Sequence, residues 1–256
     1  MSKRSVIVFG DLPIATKTVM FLQTLPKVEI GVVVGNEKPH NNDPWEDIPL
    51  LADYCTEQKL RRYTMDELTQ SFGPGELTLG LSCRFSKIIK EELIDRFQNG
   101  IINTHGGLLP EFGGLYSANH TILQNSPVGG GTIHYIDAGI DTGRIIRRCE
   151  FAVTPDDTAY TVFQKTQAAL LKGLEAVIPD ALERRFEGIS HEEFVRKGYK
   201  ACYYKKGTLE ENRIVDPRTM TPEELERHVR AFDFPGYEPA YMLDSNGKKL
   251  YLRYHY

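Results

Sequence analysis

The stretch from Ser5 to Gly35 opens on Ser5-Val-Ile-Val-Phe9-Gly10-Asp11 and closes on Ile30-Gly-Val-Val-Val34-Gly35, and its reading decides the fold. Each end is a short continuous apolar run, the pattern of a strand buried on both faces. Between them, from about residue 15 to residue 25, Val19, Leu22 and Leu25 recur at helical spacing. Strand, helix, strand is the opening of a doubly wound α/β sheet.

Working outward, residues 36–43 are polar and turn-rich. Short apolar runs at residues 77–81 and 100–103 predict two further strands, with a helix between them from Ser86 to Phe97, capped at Ser86 and striped by Ile89, Leu93 and Phe97. Residues 132–136 and 144–149 read as the two strands of a ribbon around an acidic, glycine-containing loop. Gly129-Gly130-Gly131 has no helix start after it and reads as a bend or bulge entering that ribbon. A long helix is expected from about Thr158 to Phe186. After Ile189 the chain turns aromatic and basic, with Tyr199, Tyr203, Tyr204, Lys205 and Lys206. Thr221-Pro222-Glu223-Glu224 is a helix start, with Thr221 as cap and Pro222 in the first turn. Residues 240–243 and 249–254 close the chain as a hairpin on a two-residue Asn246-Gly247 turn. The expected division is a doubly wound, Rossmann-like core over residues 1–189 and a small α+β subdomain over residues 190–256 that ends in the hairpin.

The totals bound the function. A chain of 256 residues with 41% hydrophobic and 26% charged side chains can bury a core without disulfides. A net charge of −4 argues against a nucleic-acid partner held through phosphates. Cys55, Cys83, Cys149 and Cys202 are scattered without paired spacing, so no metal site is expected. The apolar run behind Met1-Ser2-Lys3-Arg4 is too short for a signal core or a membrane span, and a cytoplasmic location with free thiols is the expectation. Gly10 stands alone after the first strand, so the fingerprint of a nicotinamide-dinucleotide site is missing, and no phosphate-cradling loop with a terminal Gly-Lys is present either.

One region concentrates chemistry. Asn103-Thr-His105-Gly-Gly-Leu-Leu-Pro110 ends a short strand, and His134-Tyr-Ile-Asp137-Ala-Gly-Ile-Asp141-Thr-Gly143 follows in the ribbon. Asn103 and His105 lie two apart, so their side chains point to one side. Ligands in open α/β sheets bind beyond the carboxyl ends of the strands, where these two stand. Asp141 is placed to fold back toward them. On the residues alone the alternative stays open: a satisfied loop histidine, with Asp137 and Asp141 as turn formers.

Taken together the two segments resemble the N10-formyltetrahydrofolate-dependent formyltransferases. That family carries Asn-x-His-x-x-Leu-Leu-Pro followed by His-x-x-Asp-x-x-x-Asp-Ser/Thr-Gly-x-Ile, matched here by Asn103, His105, Leu108-Leu109-Pro110, His134, Asp137, Asp141-Thr142-Gly143 and Ile145. The likeness covers about residues 1–188. It implies a formyltransferase with Asn103, His105 and Asp141 as catalytic trio and N10-formyltetrahydrofolate as formyl donor. It also implies a folate site near Ser82, Cys83, Arg84, Phe85 and Ser86, with Asp137, Gly139 and Asp141 opposite. The chain departs from the pattern at Gly106-Gly107, where Pro or Ala and then Ser are usual, and a looser loop or a closer approach to a ligand is expected there. In such a reaction an amine attacks the formyl carbon, Asn103 donates to the oxygen that gains charge, His105 moves a proton, and Asp141 orients the imidazole.

The acceptor follows from the rest of the chain. The C-terminal stretch Arg230-Ala-Phe232-Asp-Phe234-Pro-Gly-Tyr237-Glu-Pro-Ala240 resembles the nucleotide-sugar branch of the family. This implies a dTDP-linked amino-dideoxy sugar as partner, with general likeness to enzymes of dTDP-4-amino-4,6-dideoxyglucose that serve surface-polysaccharide (O-antigen) synthesis. Gly10, Tyr203, Tyr204, Lys205, Phe234 and Tyr237 are the expected substrate contacts, the rings to stack on a base and the lysine to meet a pyrophosphate; core packing is the alternative for each aromatic. A dTDP-3-amino sugar, GDP-perosamine and methionyl-tRNA are alternative acceptors, and formyltetrahydrofolate hydrolysis an alternative reaction. Methionyl-tRNA enzymes usually add a sizeable basic C-terminal barrel, whereas 67 residues follow Ile189 here. The resemblance and the hairpin edge suggest a homodimer.

Overall fold

A computed structural model describes residues 3–254; the ends of the two expected segments, residues 1–2 and 255–256, lie outside the described residues. In chain order the elements are β1 (Arg4–Gly10), α1 (Pro13–Thr24), β2 (Val28–Val34), α2 (Leu51–Glu57), β3 (Arg61–Arg62), α3 (Met65–Ser71), β4 (Leu79–Cys83), α4 (Glu91–Ile94) and β5 (Ile101–His105). Then come β6 (Gly113–Gly114), α5 (Ser117–Leu123), β7 (Val128–Tyr135), β8 (Ile145–Ala152), α6 (Ala159–Glu183), α7 (His191–Arg196), β9 (Tyr203–Tyr204), α8 (Pro222–Ala231), β10 (Tyr241–Leu243) and β11 (Lys249–Tyr251).

Seven strands form one sheet in the order β3-β2-β1-β4-β5-β7-β8. The first five run parallel, and β7 and β8 return antiparallel as the ribbon. This is the doubly wound α/β architecture. Side-chain alternation along β1 explains why both faces are covered. Val6 and Val8 enter a core with α1 and α6, and Ile7 and Phe9 enter a second core with α3 and α4 on the other face. Residues after α6 build a third core from Leu209, Val215, Val229 and Phe232 that includes Ala118 and Ile122 of α5 and Val162 of α6. The segment is also joined to the sheet side of the chain by backbone: Ile189 bonds to Ile145 in both directions, and β9 pairs with β6.

Three local expectations are corrected. The helix expected from Ser86 to Phe97 is a single turn, Glu91–Ile94. The Ser86 N–H is taken by a carboxylate oxygen of Asp11 at 3.0 Å, and Arg84 sits at a left-handed φ of 50°, so the chain leaves β4 in a loop. Ile89, Leu93 and Phe97 are buried regardless, carried there by successive turns. Gly129-Gly130-Gly131 is no bend but part of β7, and the pairing irregularity falls later, between Ile133 and His134. A Cβ on Gly131 would stand 2.5 Å from Leu170 Cγ, so the missing side chain lets α6 lie close on the ribbon. The terminal hairpin turns on Asp244–Gly247, whose Gly247 N–H bonds to the Asp244 carbonyl, rather than on Asn246-Gly247 alone. The Asp244 carboxylate accepts from the Asn246 and Lys248 N–H groups and stabilises the longer loop.

Gly131→Ala is expected to cost about 1–3 kcal/mol of stability by overpacking. The penalty should shrink in a Leu170→Ala background, where the space is open; urea unfolding of the two single variants and the double variant measures that coupling.

Candidate active site

The register of two strands sets the centre. In the antiparallel β5–β7 pair Asn103 lies directly opposite His134, and His105 opposite Thr132. The His134 Nδ1–H donates to the Tyr135 carbonyl at 2.8 Å, since a carbonyl can only accept. In the neutral ring Nε2 is therefore the acceptor, and it takes one N–H of the Asn103 amide at 3.1 Å. Burial pushes the His134 imidazole down to about 4, which keeps the ring neutral and the pairing intact. One amide N–H of Asn103 is thus spent on orientation and the other remains for a ligand.

His105 is held from a loop. Its Nε2–H donates to the Phe112 carbonyl at 2.7 Å, and its Nδ1 faces Asp141 Oδ1 at 3.4 Å. The other oxygen of Asp141 accepts the Gly114 N–H at 3.0 Å. Asp141 sits at φ 57°, a left-handed conformation that aspartate tolerates better than most side chains. Gly114 has φ 83°, and a Cβ there would meet the Tyr204 carbonyl oxygen at 2.2 Å. One short loop, residues 112–114, therefore supplies the backbone groups that aim both His105 and Asp141.

Two cavities meet at this centre. The first, about 200 Å³, is lined by Asn103, His134, Asp141, Asp137 and Gly139 on one side and by Ser82, Phe85, Ile88 and Ile89 on the other. Ile88 and Ile140 stand at its rim, 73% and 58% exposed. Asp137 shapes the ribbon loop by accepting from the Gly139 N–H and the Thr142 hydroxyl. The second, about 600 Å³, is lined by His105, Gly106, Arg84, Asn119, Phe163, Arg213, Phe232, Phe234, Tyr237 and Glu238. The Arg84 guanidinium lies 4.9 Å from the Phe163 ring centroid, and Arg213 is paired with Glu238 at 3.2 Å. Asn103 and Asp141 thus face one cavity and His105 the other.

The structure brings Ser82, Phe85, Asn103, Asp137, Gly139 and Asp141 to the first cavity, and His105, Phe234 and Tyr237 to the second. Other expected residues lie elsewhere. Gly10 is buried, and a Cβ there would meet Ala15 at 2.3 Å and the Cys83 carbonyl at 2.8 Å, so its role is packing. Cys83 is fully buried beside the Thr18 hydroxyl, and burial pushes its thiol up to about 12. Arg84 turns from the first cavity to the second, pinned by Asp43 at 2.6 Å. Ser86 spends its N–H on Asp11 and does not line the first cavity. Tyr203, Tyr204 and Lys205 do not line the second cavity; the Tyr204 ring stacks on His120 at 3.7 Å between centroids.

Gly106 faces the second cavity with open space around a built Cβ. Gly107 has none: its Cβ would stand 2.4 Å from the Phe112 carbonyl and 2.6 Å from the Ser117 hydroxyl. The Ser117 hydroxyl beside it donates to the Phe112 carbonyl at 3.1 Å, the same carbonyl that takes the His105 Nε2–H.

Three residues that matter had no assigned role in the sequence reading. His134 was visible in the motif, but its partner is a matter of register. Asp11 accepts the Gly35 and Asn36 N–H groups through one oxygen and the Ser86 N–H through the other. Asp43 accepts the Ile14 N–H in the first turn of α1. Helix N-termini and the turns beside them are where doubly wound folds hold phosphates; here the chain's own carboxylates occupy that ground.

Burial holds His120, like His134, down to about 4. Between pH 6.5 and 4 the unfolded chain then binds protons that the folded chain does not, so stability falls as pH drops through that window. A urea midpoint followed from pH 7 to 4.5 is expected to decline, and His120→Phe, which removes one of the two rings, should flatten the decline.

Residues 16–178 match the family model described as formyl transferase. The GDP-perosamine N-formyltransferase of Brucella melitensis is 29% identical over 172 residues, which cover 67% of this chain and 62% of that protein. The chain therefore spans less than two thirds of that relative. Among solved structures, a 4-N formyltransferase from Francisella tularensis superposes with a TM-score of 0.77 at 21% identity, covering 98% of this chain and 97% of that one. The N-formyltransferase from Helicobacter canadensis in complex with folinic acid and dTDP-3-aminofucose gives 0.72 at 22% identity, covering 96% and 85%. At such identities the structural likeness is one of fold, and it extends through the C-terminal segment. With a family model spanning more than half of its residues, the chain belongs to the formyl transferase family.

Proposed function

We propose that the protein transfers the formyl group of N10-formyltetrahydrofolate to the amino group of a dTDP-linked amino-dideoxy sugar, with dTDP-4-amino-4,6-dideoxyglucose as the best candidate, in cytoplasmic surface-polysaccharide synthesis. The observation that carries this reading is the meeting of two differently built cavities at Asn103, His105 and Asp141. The smaller one has apolar walls from Phe85, Ile88, Ile89 and Ile136 and a polar floor, which suits a flat heteroaromatic donor. The larger one combines Phe234, Tyr237 and Phe163 with Arg84, Asn119 and Arg213, which suits a base, a diphosphate and a hexose. The Helicobacter protein, whose structure contains a folate and a dTDP-amino sugar together, supports the pairing of ligands. The likeness to a GDP-perosamine enzyme favours a GDP-linked 4-amino sugar as the second reading.

When bound, N10-formyltetrahydrofolate supplies an activated formyl carbon. The second N–H of Asn103 is free to donate to the formyl oxygen as negative charge grows there. With Nε2 committed to the Phe112 carbonyl, Nδ1 of His105 is the ring position open to a proton. A proton arriving at Nδ1 stands 3.4 Å from the Asp141 carboxylate, so the charge that forms is paired. The Gly114 N–H keeps that carboxylate in place. We also assign the C-terminal segment, residues 190–256, to the nucleotide, and the β10–β11 hairpin edge to a homodimer, which sedimentation would test. Among the described residues no helix is long and apolar enough to cross a membrane.

The direct test incubates the protein with N10-formyltetrahydrofolate and a panel of dTDP- and GDP-linked amino sugars and follows sugar mass. A gain of one formyl unit on a dTDP-4-amino sugar is expected; formate release without an acceptor product would overturn the reading. His105→Asn should reduce turnover by at least about 100-fold with the fold intact by circular dichroism, and near-normal turnover would remove His105 from its role. Ile88→Ser is expected to raise KM for the folate several-fold with little change in KM for the sugar, as the rim loses apolar contact on the donor side alone.

A further inference from the structure

We infer that Tyr204 is a positioning residue for the His105–Asp141 pair, acting through the loop that aims both side chains. Strand β9 and Cys202 just before it clamp that loop through backbone alone: the Cys202 N–H donates to the Pro110 carbonyl, the Gly113 N–H to the Cys202 carbonyl and the Leu115 N–H to the Tyr204 carbonyl, at 3.0, 3.1 and 2.9 Å. Between those bonds lie the two groups the centre relies on, the Phe112 carbonyl under His105 and the Gly114 N–H on Asp141. Without β9 the loop would hold neither in register.

The Tyr204 side chain fixes where β9 lies. Its ring stacks on His120 of α5 at 3.7 Å and 15°, and lies near parallel, at 22°, to the Phe112 ring. Its hydroxyl accepts from the amide of Gln124, the residue that caps the carboxyl end of that helix. His120 is 94% buried, and its Nε2 has no hydrogen-bond partner among the described residues. That arrangement suits a flat, neutral stacking surface. Tyr204 lines neither cavity. Its influence therefore runs through the ring stack to β9, from β9 to residues 110–115, and from these to the two catalytic side chains, with no contact to either substrate.

The test rests on the proposed formyl transfer for its kinetic arm and is independent of it in its spectroscopic arm. Tyr204→Ala is expected to lower kcat about 10- to 100-fold, the scale of a small misplacement of reacting groups, with KM for the sugar nucleotide within about twofold. Tyr204→Phe, which keeps the stack, should restore most of kcat. In nitrogen-15 spectra of the imidazoles, assigned with His105→Asn, wild-type His105 should show a protonated, hydrogen-bonded Nε2 that is lost in Tyr204→Ala and kept in Tyr204→Phe. A rise in KM at unchanged kcat would make Tyr204 a direct nucleotide contact and overturn the inference. An unchanged His105 spectrum in Tyr204→Ala would overturn it too, even if no acceptor is turned over. Should Tyr204→Ala fail to fold, His120→Ala removes the stack from the helix side and must give the same kinetic and spectral pattern.

Discussion

The carboxylate of Asp11 gathers the chain ends of β1, β2 and β4 at one point. It accepts the N–H groups of Gly35, Asn36 and Ser86 while only 2% exposed, so three segments of loop are tied to a single buried carboxylate. Hydrogen bonds to a buried charge are the strong ones, and a carboxylate there without its donors would be costly. Asp43 repeats the device beside it, joining the first turn of α1 to Arg84. Together they close the crevice between β1 and β4, where a doubly wound sheet otherwise offers its helix dipole to a phosphate. The open ground shifts along the sheet to the ends of β4, β5 and β7, and the chemistry-bearing side chains stand there.

From that point geometry is inherited rather than chosen. Ser86 is pulled out of any helix by Asp11, which leaves the 84–90 segment as a loop between the two cavities. The reversal of β7 against β5 puts His134 opposite Asn103, and the buried neutral ring then decides which way the amide points. Thr132, opposite His105, donates its hydroxyl to the Gly107 carbonyl at 2.7 Å and accepts the Leu109 N–H at 2.9 Å. Gly107 leaves room for Ser117, whose hydroxyl meets the same carbonyl as His105.

The parallel sheet was legible in the sequence because its strands are buried on both faces, and such strands read as unbroken apolar runs. Val6–Phe9 and Ile30–Val34 carry that signal in the sequence. The long helix behind Thr158 was legible for a different reason, a cap followed by a sustained apolar period. The trio was legible in part: Asn103 and His105 share a strand face by simple alternation, whereas Asp141 needed a family pattern, because a loop residue has no periodicity to place it. What stayed hidden depends on contacts distant in sequence. No local rule connects Asp11 with Ser86, 75 positions away. Tyr204 and Gly114 pair as two-residue strands, too short to leave an alternating pattern. Arg84 sits at the expected place in the chain, yet Asp43 turns its side chain to the other cavity.

The separation of the two cavities has a consequence for the order of events. Asn103 and Asp141 open to one side and His105 to the other, so two ligands can occupy the centre together without sharing walls. On the proposed reading the formyl unit passes directly from one bound molecule to the other. Such a reaction proceeds through a ternary complex, so double-reciprocal plots at several donor concentrations intersect instead of running parallel.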